Sequence, residues 1–182
     1  MLKKIIYFFL LPIQLFAQNS EIDSLKNVIS LPTSTNNAKA EAANRLSYYY
    51  ISISIPKAKE YANQAMELAK AGGDNYQLGR AHYNLGYCYL YGNMPVEALK
   101  EFLQEKQIAD KKNIPKLLGD AYEAIGELYS KLNYHNKAYY YYTLSLIFLL
   151  HLKRVCNNSK PYCDNLTCYT TLLLLHKHLL KV

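Results

Sequence analysis

A block of matched residues returns along this chain at a fixed offset of forty. His82-x-x-Leu85-Gly86-x-x-Tyr89, followed by Ala98-x-x-x-Phe102, comes back as Tyr122-x-x-Ile125-Gly126-x-x-Tyr129, followed by Ala138-x-x-x-Tyr142. Self-similarity at such a period marks a stacked array, in which each unit buries its apolar face against its neighbours. A chain of 182 residues therefore reads as a short array rather than a domain with one central core. Arrays of this kind present binding surfaces more often than catalytic centres.

The spacing inside the block is helical. Ile22, Leu25, Val28 and Ile29 make one apolar face over 20–31, and Pro32 stops it. Ala42, Leu46 and Tyr49/Tyr50 do the same from Asn36 to about Ser52. Ala58, Ala62, Ala65 and Ala69 form a small-residue stripe from Lys57 to Ala71, closed by Gly72-Gly73. No GxxxxGK frame surrounds that glycine pair, so it reads as a helix stop and not a phosphate loop. Asp74 is placed to cap the next helix, which runs to Tyr91. Gly92-Asn93, Asn113-Ile114-Pro115 and 133–136 are turns, with Pro95 opening one helix, Lys116 to Leu132 forming the next and Lys137 beginning another. The expected fold is all-α, an α-solenoid of antiparallel helix pairs.

These residues resemble the tetratricopeptide repeat. That family packs two antiparallel helices through one small residue on each. Gly86 and Gly126 fit the first helix, Ala98 and Ala138 the second. Leu85/Ile125, Tyr89/Tyr129 and Phe102/Tyr142 then fill the seam. The interval from Tyr89 to Ala98 is nine residues, and Tyr129 to Ala138 repeats it. A worn first copy precedes them, with Leu46-Ser47-x-x-Tyr50 and Ala58-x-x-x-Ala62-x-x-Ala65, one residue short between Tyr50 and Ala58. About three repeats of period forty result, over 36–73, 74–113 and 114–146, after an N-terminal helix and linker at 18–35. Glu105 and Ser145 stand where the family prefers Ala, and its closing Pro is missing from the usual place. Longer repeats like these resemble extracytoplasmic sensor segments of bacterial signalling proteins.

The resemblance implies a concave groove lined by the first helix of each pair. Tyr83, Tyr87 and Tyr91 recur every four residues on a face distinct from the seam, with Arg80 and Asn84 close by. The family's groove positions add Asn44 and Tyr48 from the first repeat and Asp120, Glu123 and Glu127 from the third. Some members clamp a peptide's terminal carboxylate with paired Lys and Asn. Those cations are missing here, so a partner with a basic or aromatic segment fits better. The competing reading is that the Tyr stripe packs against the neighbouring repeat.

The formal charge of +7 invites a nucleic-acid reading, but its distribution opposes one. Between Gln18 and Leu146 there are 14 Lys/Arg against 13 Asp/Glu. A phosphate-tracking surface needs cations clustered on one face. The excess sits in Lys3, Lys4 and the segment after Leu146. Lys3-Lys4 precede an apolar run from Ile5 to Phe16, broken by Pro12 and Gln14, which reads as a signal peptide over 1–17. The run is too short to span a membrane. Export to a periplasmic or extracellular location is the expectation, with no stable membrane span in the mature chain.

After Leu146 the pattern stops. No Asp, Glu, Lys or Arg occurs from Ala138 to Leu152, so the third repeat loses its polar outer face. The tail 147–182 is either a cap, with Tyr169, Leu172, Leu173, Leu179 and Leu180 on one helix, or the remnant of a truncated longer protein. Cys156, Cys163 and Cys168, with His176 and His178, match no CxxC zinc frame. Cys88 reads as a small buried hydrophobe. Neither His82 nor His135 has a nucleophile or carboxylate arranged around it, and no HExxH, GxSxG or paired-carboxylate constellation is present. The chain therefore reads as no enzyme, with no metal or cofactor. It reads as an exported scaffold binding a protein or peptide, or alternatively as the input segment of a membrane-bound histidine kinase or transcriptional regulator.

Overall fold

The computed structural model describes residues 20–156. These form α1 over 20–30, α2 (Asn36–Tyr50), α3 (Ile55–Gly72), α4 (Asn75–Tyr91), α5 (Pro95–Lys112), α6 (Pro115–Lys131) and α7 (His135–Cys156). Among the described residues there is no strand. The fold is an all-α solenoid. Each helix packs on the next in sequence, and α2, α4 and α6 also touch one another along the stack. Among α3, α5 and α7 contact is marginal at most. Close approach on one side only bends the stack, which puts α2, α4 and α6 on its concave face.

The turns recur at half the repeat. Gly73, Asn93, Asn113 and Asn133 are left-handed, with φ of 69°, 58°, 52° and 61°. After each one the next amide donates to a carbonyl five residues back: Asp74 to Ala69, Met94 to Tyr89, Ile114 to Ala109 and Tyr134 to Tyr129, each at 2.9 Å. This is the Schellman closure, and Gly and Asn are the residues that adopt its left-handed step at least cost. Position 53 would be the matching place in the first repeat, but Ile53 is β-branched and disfavours that conformation. The turn is built differently there, with the Ser54 amide reaching back to Tyr50. As a result α2 ends at Tyr50, whereas α4 and α6 run two residues past the matching Tyr89 and Tyr129. That difference accounts for the residue missing between Tyr50 and Ala58. Asp74 caps α4 by accepting from the Gln77 amide at 3.0 Å.

The core follows the same beat. Ala58, Ala62, Ala65 and Ala69 on α3 are buried. So are Ala98, Phe102, Glu105 and Ala109 on α5, and Ala138, Tyr142, Ser145 and Leu149 on α7. Leu85, Gly86, Ile125 and Gly126 are buried opposite them, while Tyr89 and Tyr129 are partly buried at the seam. A Cβ on Gly86 would run into the Phe102 ring, and one on Gly126 would meet Tyr142 at 2.8 Å. The aromatic side chain lies directly over the glycine, so the two helix axes come close without a void. Ser47 takes this place in the first repeat, where its hydroxyl donates to the Ala58 carbonyl at 2.8 Å. Cys88 is a buried free thiol, pushed up to about 11 by desolvation.

The helix that begins near Lys137 continues as α7 to Cys156, through the apolar stretch Leu144–Leu152. Nothing in that stretch breaks a helix, and loss of the polar face changes what covers the helix, not whether it forms. The structure departs from the sequence reading at His82, which does have a carboxylate partner: its Nδ1 lies 2.7 Å from Glu101. The two are 19 residues apart and meet only because α4 and α5 pair. The leader over 1–17 and the tail positions Cys163, Cys168, Tyr169, Leu172, Leu173, His176, His178, Leu179 and Leu180 lie outside the described residues.

Candidate binding groove

The forty-residue offset also governs contacts across the concave face. Asn84 Nδ2 donates to the Asn44 carbonyl at 3.0 Å and to its Oδ1 at 3.2 Å. Arg80 pairs with Asp120 at 3.2 Å. The Tyr87 hydroxyl donates to Glu127 at 2.8 Å. Lys116 Nζ lies 5.9 Å from the Tyr76 ring centre, and Lys131 Nζ lies 3.8 Å from that of Tyr91. Each pair joins one A helix to the next at the same helical height. They align neighbouring repeats in register.

Not all of the named groove residues are equally available. Asn84 is fully buried and Asn44 nearly so, and Asn44 also donates to the Gln77 carbonyl and side chain, both at 2.9 Å. Tyr87 is 8% exposed and packs edge-on against Phe102, with ring centres 5.3 Å apart. Tyr83 packs against Tyr87 with the rings tilted and their centres 4.7 Å apart, and carries Arg80 over its ring at 4.4 Å. Desolvation pushes both hydroxyls well above the ordinary tyrosine value, so they stay neutral. Tyr48 and Tyr91 differ from these, at 62% and 50% exposed. The tyrosine stripe is thus divided: its inner members pack and its outer members face solvent.

An open groove of about 840 Å³ runs along this face. Its aromatic lining is Tyr48, Tyr49, Tyr76, Tyr83, Tyr87 and Tyr91, and its charged lining is Arg80, Lys116, Asp120, Glu123 and Glu127, with Ile51–Ile53 at one end. A second hollow of about 310 Å³ adjoins it among α1, α2 and α4 and shares Tyr48, Tyr49, Tyr76 and Arg80. Asn44 lines that smaller hollow. Sequence reasoning missed Tyr76, Lys116 and Lys131. Pairing every A-helix residue with the one forty positions on would have found all three.

The electrostatics of the groove are acidic at its centre. Burial comes first among the causes that raise the Glu123 carboxyl, to about 7, with the Asp120 and Glu127 charges adding and Arg80 opposing. Asp120 is also raised by burial, against the pull of Arg80 and Lys116. Glu105 lies behind them on α5, with no exposed surface and both carboxyl oxygens unpartnered. Burial and the Asp120 charge hold it well above the usual carboxylate range. Among the described residues no group of His, Cys, Asp and Glu could hold a metal ion, and no helix is long and apolar enough to cross a membrane.

No family model matches the sequence, and no curated protein matches it. Among solved structures the chain is similar to the crystal structure of the apo form of RapI. Sequence identity is 22% and the TM-score 0.62, over 82% of this chain and 52% of that one. The chain therefore spans about half the length of that protein. What the two share is a tetratricopeptide-like helical-repeat fold.

Proposed function

We propose that this chain is a protein-interaction module whose concave groove holds an extended segment of a partner protein. One observation carries the reading: an open groove of about 840 Å³, built from three successive A helices, shows solvent-facing aromatic rings above partly buried carboxylates. Exposed aromatic side chains beside a wet, charged floor are the usual anchors of peptide recognition. The length of the groove along the stack suits an extended chain better than a small compact ligand. The residues over 1–17 support action outside the cytoplasm, which N-terminal sequencing of protein recovered from cells would check.

Panning random dodecapeptides on the full chain tests the groove. Selected peptides are expected to bind at least about tenfold more weakly to the Tyr48→Ala/Tyr91→Ala variant, the loss typical of a central aromatic anchor. Both side chains are exposed, so circular dichroism should show the helices unchanged. Peptides that bind this variant as well as they bind the parent would remove the groove from the account.

Ile147 and Leu150, exposed on α7, favour a second reading. In it, further helices would continue the array in a longer signalling protein, for which this segment is the input. An open reading frame continuing past Val182 is the expected finding.

A further inference from the structure

Contacts between α4 and α6 form rungs at the forty-residue offset, and one rung is unmade. Tyr76 meets Lys116, Arg80 meets Asp120, Tyr87 meets Glu127 and Tyr91 meets Lys131. The remaining pair is Tyr83 with Glu123. Glu123 makes no hydrogen bond or ion pair within the described residues, although it lines the groove. The rungs on either side each combine a cation, a ring and a carboxylate. Arg80 lies over Tyr83 and bonds Asp120; Lys131 lies over Tyr91, whose hydroxyl donates to Glu127 at 3.3 Å.

An independent observation points the same way. Glu105 is fully buried, both its oxygens lack partners, and it is close enough to Asp120 and Arg80 to interact with both charges. Glu105 is held in its neutral form, which leaves Asp120, Glu123 and Glu127 in the groove facing Arg80 and Lys116 alone among its lining cations. Desolvated carboxylates in excess of their cations are costly, and a cation that enters the groove relieves that cost. An apolar anchor at the same place would desolvate Glu123 further without compensation.

We infer that the partner completes the middle rung: the groove seats an Arg or Lys side chain against Glu123, in the hollow that Tyr48 also lines. This rests on the groove being a peptide site and specifies the residue class it reads. Cation–ring contact and a carboxylate together favour guanidinium or ammonium over neutral groups. The seat is charged only when Glu123 is ionised. Asp120 and Glu127 on its own helix hinder ionisation, as burial does, and Arg80 favours it. Tyr83 and Tyr87 face it from α4 and Tyr142 from α7, while Glu105 on α5 acts through Asp120. Raising the pH from 6 to 8 takes a carboxyl of pKa near 7 from mostly neutral to mostly ionised, which should strengthen cation binding about tenfold.

The full chain, with Glu side-chain carboxyls labelled for NMR, can be titrated with N-acetyl-arginine amide and with the isosteric neutral N-acetyl-citrulline amide. Saturable shifts at Glu123 are expected with the first, at least tenfold weaker ones with the second, and tighter binding at pH 8 than at pH 6. Glu123→Gln should abolish the preference while melting like the parent. Equal binding of the two amides, or an unchanged Glu123→Gln, overturns the inference. The dodecapeptide selection separates the two ideas. Sequences that need Tyr48 and Tyr91 but show no excess of Arg or Lys refute the cation seat and leave the groove standing. Enrichment in Arg or Lys that Glu123→Gln removes supports the seat. No selected peptide and no saturable shift refute both.

Discussion

At the scale of single residues, Glu105 stands out. Its counterparts are Ala65 in the first repeat and Ser145 in the third, and all three are fully buried. A carboxyl there keeps its proton in the folded chain at a pH where the unfolded chain has lost it. The folded state then binds more protons, so this stability is fully present below the unfolded value of roughly 4.3. It is lost as pH rises through the folded value. Glu105→Ala is expected to flatten the fall in stability between pH 5 and pH 8. At pH 8 it should unfold at higher denaturant than the parent, by about 1 kcal/mol, since the cost of a buried unpartnered group outweighs that of a small cavity. Urea titrations at the two pH values check this. The anomaly was legible in the sequence, where Glu105 breaks an Ala position. Its consequence was not, because the charges it meets come from two other helices. His82 and Glu101 teach the same lesson: their pairing depends on the α4–α5 hairpin, so no local pattern could announce it.

At the scale of elements, the helices were legible because their boundaries are written in residues with fixed backbone preferences. Pro95 and Pro115 sit at first helical positions, and Asp74 is an N-cap. Asn93, Asn113 and Asn133 close helices in the left-handed region. Asn113→Val should cost about 1–2 kcal/mol, the penalty for a β-carbon in the left-handed region, and Asn113→Gly should be near neutral or slightly stabilising. Equilibrium unfolding in urea distinguishes the pair. Equal losses from both would mean that the asparagine side chain, and not its backbone angle, holds the turn.

At the scale of the whole molecule, stability is distributed along a line. Interfaces between adjacent helices carry it, so the helices with neighbours on both sides are best protected. Amide exchange is expected to be slowest in α4 and α5 and fastest in α1 and at the ends of the array. Uniform protection throughout would show a stack opening in one cooperative step. The groove was half legible at this scale. The exposed rings of Tyr48 and Tyr91 and the acids Glu123 and Glu127 follow from helical position in a repeat. The division between packed Tyr87 and open Tyr91 depends on how tightly α4 lies against α5 and α6, and that is set by Phe102 and Glu127 together.

The left-handed turns at Gly73, Asn93, Asn113 and Asn133 make the chain a modular length standard. Residues 74–113 run from just after one such turn through the next but one, so they begin and end in the same backbone geometry. A second copy of that cassette, spliced in at Asn113, would meet matching turns on both sides. It would lengthen the groove by one A helix and repeat its ladder of cross-helix contacts. Gain or loss of a whole cassette is therefore a change the backbone accommodates without rebuilding, whereas a single inserted residue throws every later rung out of step.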